Sequence, residues 1–176
     1  INDLAKITNH RSGEIKFGEK MIVIPSGIDK INFIKESEAK YVLLGIPEDI
    51  GVRANYGRPG AASAWQCAIK SIANIQHNRF CKGSNIIVLG QINVAAEMRE
   101  VENLDFNDID DRSKLSQLVE KIDKEVSHII FTIIKAGKTP IIIGGGHNNA
   151  YGNIKGAALA KGKPINAINF DAHSDF

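Results

Sequence analysis

Long apolar runs are missing from this chain. None approaches the roughly 18–20 residues of a membrane span, and no signal peptide is visible at the start. These absences exclude a membrane as a partner and set a cytoplasmic location as the expectation. Cysteine is scarce. Cys67 and Cys81 have neither metal nor redox spacing, and they are expected to stay reduced, with a disulfide between them left open. An excess of one charge is also absent. The 22 Lys and Arg residues nearly balance 20 Asp and Glu, giving a net charge of +2. With no basic block, nothing asks for nucleic acid. No internal repeat or low-complexity stretch occurs, and position 1 is not Met, so the numbering is not expected to start at a native terminus. What is present, 176 residues with 43% hydrophobic and 24% charged, suits one domain with a real core.

Along the chain, residues 1–40 are the least regular. Met21 to Ile24 predicts a short strand ended by Pro25, and Ile31 and Ile34 predict one or two helical turns. This segment is expected to be an N-terminal extension packed on the main sheet. YVLLGI at 41–46 is continuous enough in apolar residues for a parallel strand buried on both faces. The loop after it, 47–61, holds Gly51, Gly57, Gly60, Pro47 and Pro59, a punctuation that argues against a regular element. Long loops at strand ends usually carry function when ordered.

Ala61, Trp65, Ala68, Ile69, Ile72 and Ile75 then follow a helical period, predicting a helix over 60–77. His77 reads as a helix-terminus residue rather than a ligand. A second strand is predicted at 86–89, followed by a polar connection to Arg112. The acids Asp105, Asp108, Asp110 and Asp111 lack the sixth-position glycine and the closing glutamate of an EF-hand, so they read as a solvated loop with helix-capping acids. Leu115, Leu118, Val119, Ile122, Val126, Ile129, Ile130 and Ile133 predict a helix over 113–136, with Gly137 as its C-cap and Pro140 beyond. Strands at 140–144 and 165–170 flank a helix ending near Lys161, in which Gly152 and Gly156 suggest close packing on a neighbour. Alternating strands and helices argue right-handed crossovers and a mostly parallel sheet with helices on both faces.

Two strand ends carry the chemistry. The run Ala167, Ile168, Phe170 empties into Asp171, His173 and Asp175 at i, i+2 and i+4. In an extended chain these three point the same way. Carboxylate and imidazole together suit Mn²⁺, Zn²⁺ or Fe²⁺. A solvated polar loop is the alternative on spacing alone. Residues 140–147, PIIIGGGH, form the second such end, where glycines let the backbone turn sharply. Ligands in open α/β sheets bind at the carboxyl ends of strands. One site gathering His147, Asp171, His173 and Asp175 is therefore the expectation.

GGGH followed one strand later by DAHSD resembles the first two signature motifs of the ureohydrolase family, which includes arginases, agmatinases and formimidoylglutamases. The resemblance covers the chain from about Tyr41 onward. It implies a three-layer arginase-like α/β fold, with residues 41–176 as the N-terminal part of the domain and 1–40 as an extension. It implies two Mn²⁺ ions: His147 on one, His173 on the second, and Asp171 and Asp175 as carboxylate ligands, one of them bridging and both candidate catalytic residues. The implied reaction is hydrolysis of a formimidoyl or guanidino C–N bond in a small-molecule substrate. An oligomer of identical chains is expected.

The loop DIGVRANYGRPGA at 49–61 resembles the corresponding segment of formimidoylglutamases, through Asp49, Gly51, Val52, Arg53, Asn55, Gly57, Arg58, Gly60 and Ala61. By that resemblance Arg53, Asn55, Arg58 and Asn148 would bind substrate. An arginine fork suits a substrate carboxylate; surface salt bridges are the alternative for the two arginines. Formimidoylglutamases often carry Glu after GGGH, where this chain has Asn148. Arginases and agmatinases usually carry Asp at the position of Gly146. The family's third motif, S-x-D-x-D-x-x-D-P, does not occur in these 176 residues. The expectation is therefore part of a longer protein, with an incomplete metal site and a sheet incomplete at the C-terminus, since the family inserts later strands between 140–144 and 165–170.

Three other readings compete. One is a non-catalytic arginase-like scaffold. Another is a nucleotide-binding domain, although the glycine run lacks both G-x-G-x-x-G and G-x-x-x-x-G-K-[ST]. The third is a zinc deacetylase with a related sheet.

Overall fold

The apolar run at 41–46 becomes an interior strand of a four-stranded sheet, and both its faces are covered. The structure is a computed structural model and describes residues 4–172. In chain order the elements are α1 (Leu4–Ile7), β1 (Ile22–Val23), α2 (Lys30–Glu36), β2 (Tyr41–Ile46), α3 (Ile50–Ala54), α4 (Ala64–Ala73), β3 (Ile86–Gln91), α5 (Ala95–Val101), α6 (Ile109–Lys135), β4 (Thr139–Gly144) and α7 (Asn149–Lys161). The sheet order is β1-β3-β2-β4, and every pairing is parallel. This is the α/β arrangement that the alternating pattern predicts.

Alternation along β2 sorts its side chains between two layers. Leu43 packs with Val88 against Trp65, Ile69 and Ala73 of α4. Leu44 and Ile46 face the other way, onto Leu115, Leu118, Ile122, Val126 and Ile130 of α6. Val42 and Ile87 join Ile133 near the end of the same helix. Gly45 lies on the α4 side, where a Cβ would overlap the Trp65 ring. Each fully buried aliphatic side chain contributes roughly 1.5–3 kcal/mol, so the two layers together make the sheet's stability.

Asp108 starts α6 by accepting the amides of Asp110 and Asp111 at 2.9 and 3.0 Å, which is the capping role expected of that acidic loop. The helix begins at Ile109, earlier than residue 113, because this cap precedes the hydrophobic period. Gly137, at φ +78°, follows its end. α7 packs on α6 through its glycines. A Cβ on Gly152 would press on Val126, and one on Gly156 on Ile130.

Several expectations are corrected. The loop 47–61 contains a short helix, α3, despite its glycines and prolines. Local ties hold it: the Glu48 carboxyl accepts the Ile50 amide at 2.7 Å, and Asp49 accepts from Arg53 at 2.6 Å. The helix predicted over 60–77 stops at Ala73. There the Asn74 side chain donates to the carbonyls of Lys70 and Ile7, both at 2.8 Å, and accepts the Asn9 amide. His77 lies beyond that end, and its Nδ1 accepts the Gly83 amide at 3.3 Å. The polar connection after β3 includes α5, whose Val101 is buried against the α6 layer.

The largest correction is at 165–170, which forms no strand. Ile168 is 84% exposed and Phe170 96% exposed. A strand needs a neighbour for its amides and carbonyls, and among the described residues no strand lies beside this run.

Candidate functional site

β2 and β4 run side by side in register, Ile46 opposite Gly144. Their chains therefore leave the sheet together at its carboxyl edge, one as Pro47-Glu48-Asp49 and the other as Gly145-Gly146-His147. The crossing is close. A Cβ on Gly145 would fall on the Glu48 carbonyl, so only glycine fits there. The Gly146 amide donates to that carbonyl at 3.1 Å and also to Glu48 Oε1 at 3.2 Å. His147 is the next residue, turned outward, with its side chain half exposed.

Asp171 comes to the same place. His147 Nδ1 and Asp171 Oδ2 are 3.3 Å apart. The structure thus joins the GGGH turn to the start of DAHSD although 165–170 is not a strand. His173 and Asp175, the other two expected ligands, lie outside the described residues. Among the described residues no group of three or more His, Cys, Asp or Glu is gathered to hold a metal ion. Imidazole and carboxylate nevertheless meet at one accessible point, and that donor pair fits a hard-to-borderline divalent ion.

The 49–61 loop flanks this edge. Asp49 is buried, and its second oxygen accepts the Gly60 amide at 2.7 Å. Burial works against its charge, but the Gly60 amide and the Arg53 guanidinium outweigh burial and hold the carboxyl below its ordinary range. The Arg53 Nε is thus engaged with Asp49 and closes the loop on itself. Asn55 and Arg58 are exposed. Asn148 lies in a slot between two glycines, where a Cβ on Gly51 or on Gly146 would strike its amide oxygen. Its Oδ1 and Nδ2 are buried and make no hydrogen bond among the described residues.

Glu48 is the residue that sequence reasoning missed. It is fully buried, and its carboxyl also accepts from the Asn149 side-chain amide. Only its place immediately after a buried parallel strand could have signalled it.

A parallel α/β sheet, sandwiched by helices and carrying its chemistry where β2 and β4 end, defines an α/β domain of the strand-edge-site class. The chain belongs to the arginase family: residues 39–176 match the sequence model of that family. It is 34% identical over 142 residues to a formimidoylglutamase of Geobacillus sp. (strain WCH70), a match covering 80% of this chain and 37% of that relative. The formimidoylglutamase of Geobacillus thermodenitrificans (strain NG80-2) is 31% identical over 140 residues, covering 78% of this chain and 37% of the relative. That of Hahella chejuensis (strain KCTC 2396) is 29% identical over 146 residues, covering 80% and 38%. The chain therefore spans little more than a third of the length of these curated relatives.

Proposed function

We propose that the protein to which this chain contributes hydrolyses formimidoylglutamate to glutamate and formamide, using two Mn²⁺ ions per chain. The observation that carries this reading is the meeting of His147 and Asp171 at 3.3 Å. It joins both signature motifs at the sheet's carboxyl edge, in a chain whose relatives include formimidoylglutamases. His147, Asp171, His173 and Asp175 would hold the ions, with further ligands from the family's third motif. When bound, the ions supply Lewis-acid activation of water near neutral pH.

The chain's own groups do the rest. Water adds to the amidine carbon, the C–N bond breaks, and the leaving nitrogen needs a proton. The Asp171 carboxylate, with Asp175, takes the proton that water releases and returns it to that nitrogen. Asn148, with both polar atoms of its amide unpartnered among the described residues, offers one donor and one acceptor beside His147. Arg58, exposed on the flanking loop, is the cation for a substrate carboxylate. Arg53 supports it by fastening the loop to Asp49. Asn55 lies between them on the loop and completes the substrate contacts.

The test is turnover by the full-length protein with Mn²⁺. Release of glutamate and formamide from formimidoylglutamate, lost on chelation and restored by Mn²⁺, is expected. Losing one charge-assisted hydrogen bond to a carboxylate costs roughly 1.5–3 kcal/mol. Arg58→Ala should thus lower kcat/KM about ten- to a hundredfold with metal content unchanged. Faster release of urea from agmatine or arginine would overturn the substrate assignment. Absence of bound transition metal, with activity indifferent to chelator, would overturn the metal reading.

A further inference from the structure

We infer that Glu48 is a positioning residue that sets the direction of the His147 side chain from beneath. The inference rests on the reading of His147 as a metal ligand. Glu48 sits on the loop leaving β2, and His147 on the turn leaving β4, 99 residues later in the chain. Three contacts tie them. The Glu48 carbonyl accepts the Gly146 amide at 3.1 Å. Its Oε1 accepts the same amide at 3.2 Å and also the Asn149 Nδ2. Its Oε2 accepts the Ile50 amide at 2.7 Å, which fixes the carboxyl plane against the start of α3.

Asn149 then repeats the tie from the far side of His147, donating to the Gly146 carbonyl at 2.9 Å. The residue before His147 is thus bonded at its amide and at its carbonyl, and the second residue after it is bonded through its side chain. Glycines alone would leave this turn free to swing, since they restrict φ and ψ least. The carboxyl of Glu48 supplies the restraint that the GGG sequence lacks. Groups that orient a metal-binding imidazole affect affinity almost as strongly as the ligand itself.

The site geometry also explains why the carboxyl cannot act as a ligand. Glu48 is 0% exposed, while His147 is turned to the surface. Both Glu48 oxygens are taken by donors from the chain. Its effect reaches the site through Gly146 and Asn149.

The experiment uses the full-length protein in four forms: parent, Glu48→Ala, Glu48→Gln and Ile34→Ala. The last removes a buried side chain of α2 that packs on Val42, Ile87 and Ile133, toward the opposite end of the sheet, and controls for general loss of stability. Two quantities are measured: Mn²⁺ affinity by titration of the metal-free protein, and hydrogen exchange of the Gly146 amide without metal. Glu48→Ala should weaken Mn²⁺ binding about ten- to a hundredfold and speed exchange at Gly146 severalfold, the Glu48 carbonyl still accepting that amide. Glu48→Gln should recover part of both, because the amide oxygen can still accept from Gly146 and Asn149 while its nitrogen cannot accept the Ile50 amide. Ile34→Ala should lower thermal stability and leave both readouts within twofold of the parent.

Glu48→Ala with unchanged exchange at Gly146 overturns the inference. So does Ile34→Ala weakening Mn²⁺ binding as much as Glu48→Ala. Should Glu48→Ala fail to fold, Asn149→Ala replaces it with the same expected outcomes. A parent that takes up no Mn²⁺ overturns the metal reading instead, and the exchange of Gly146 then decides on its own whether Glu48 holds the turn.

Discussion

Residues 141–143 and 165–170 look alike as sequence and behave differently as structure. Each is a short apolar run that empties into a motif with a histidine. The first is β4, paired along its length with β2 and partly covered by the α6 and α4 layers. The second forms no strand, with Ile168 and Phe170 almost fully exposed. The lesson is that an apolar run states a preference for burial, and a neighbour with free amides and carbonyls turns it into a strand. The chemistry does not wait for the strand: Asp171 reaches His147 all the same.

The comparison can be broken most sharply by hydrogen exchange. In the 176-residue chain, the amides of Ile168 and Phe170 should exchange much faster than those of Ile142 and Ile143, which lie in β4. In the full-length protein, protection at 167–170 should rise by on the order of a thousandfold, toward the level of core strands. Fast exchange there in the full-length protein would mean that this run is not a strand of the family sheet in this protein.

Stability measurements sharpen the same contrast at smaller scale. Ile142→Ala should cost about 2 kcal/mol in urea unfolding, the low end for a large core side chain, since Ile142 is only partly buried. Phe170→Ala should change stability by less than about 0.5 kcal/mol in the 176-residue chain. Equal costs would show that the tail packs on the domain. The covering layer can be attacked in turn. Gly152→Ala forces a methyl against Val126 and should cost about 1–3 kcal/mol. A neutral result would mean that α7 can move away from α6.

The smallest effect concerns pH. Asp123 on α6 lies near Glu48, and its Oδ1 is buried without a hydrogen-bond partner among the described residues. Burial, and then the nearby Glu48, push its carboxyl up to about 6, with Lys155 acting in the other direction. A carboxyl whose pKa is higher folded than unfolded favours folding at low pH. That contribution is lost as pH rises through about 6. Asp123→Asn should therefore gain stability over the parent between pH 4 and 6 and hold a constant advantage above pH 7. The plateau is on the order of 1 kcal/mol, read from thermal melts across that range. An advantage that shrinks as pH rises would show that Asp123 is held charged by a partner.

The sequence by itself determined the parts whose cause is local. The periods of β2, β3, β4 and α6 are visible in single stretches, because a buried face repeats at two or at 3.6 residues. Asp108 reads as a cap, and Gly152 and Gly156 as points of close packing, because each follows from the size or bonding of one residue. The motifs at 144–147 and 171–175 were legible as donor types following short apolar runs, and the structure brings His147 and Asp171 together from that set.

Tertiary structure alone decided the rest. The start of the helix at 50–54 is anchored because Glu48, which accepts the Ile50 amide, is itself held by Gly146 and Asn149. The helix over 64–73 stops early because Asn74 bonds to Ile7 and Asn9. Residues 165–170 form no strand because strand pairing depends on a second strand and not on their own composition. Glu48 was invisible for the same reason: its partners lie 98 and 101 residues away, and no local pattern records a contact made at that distance.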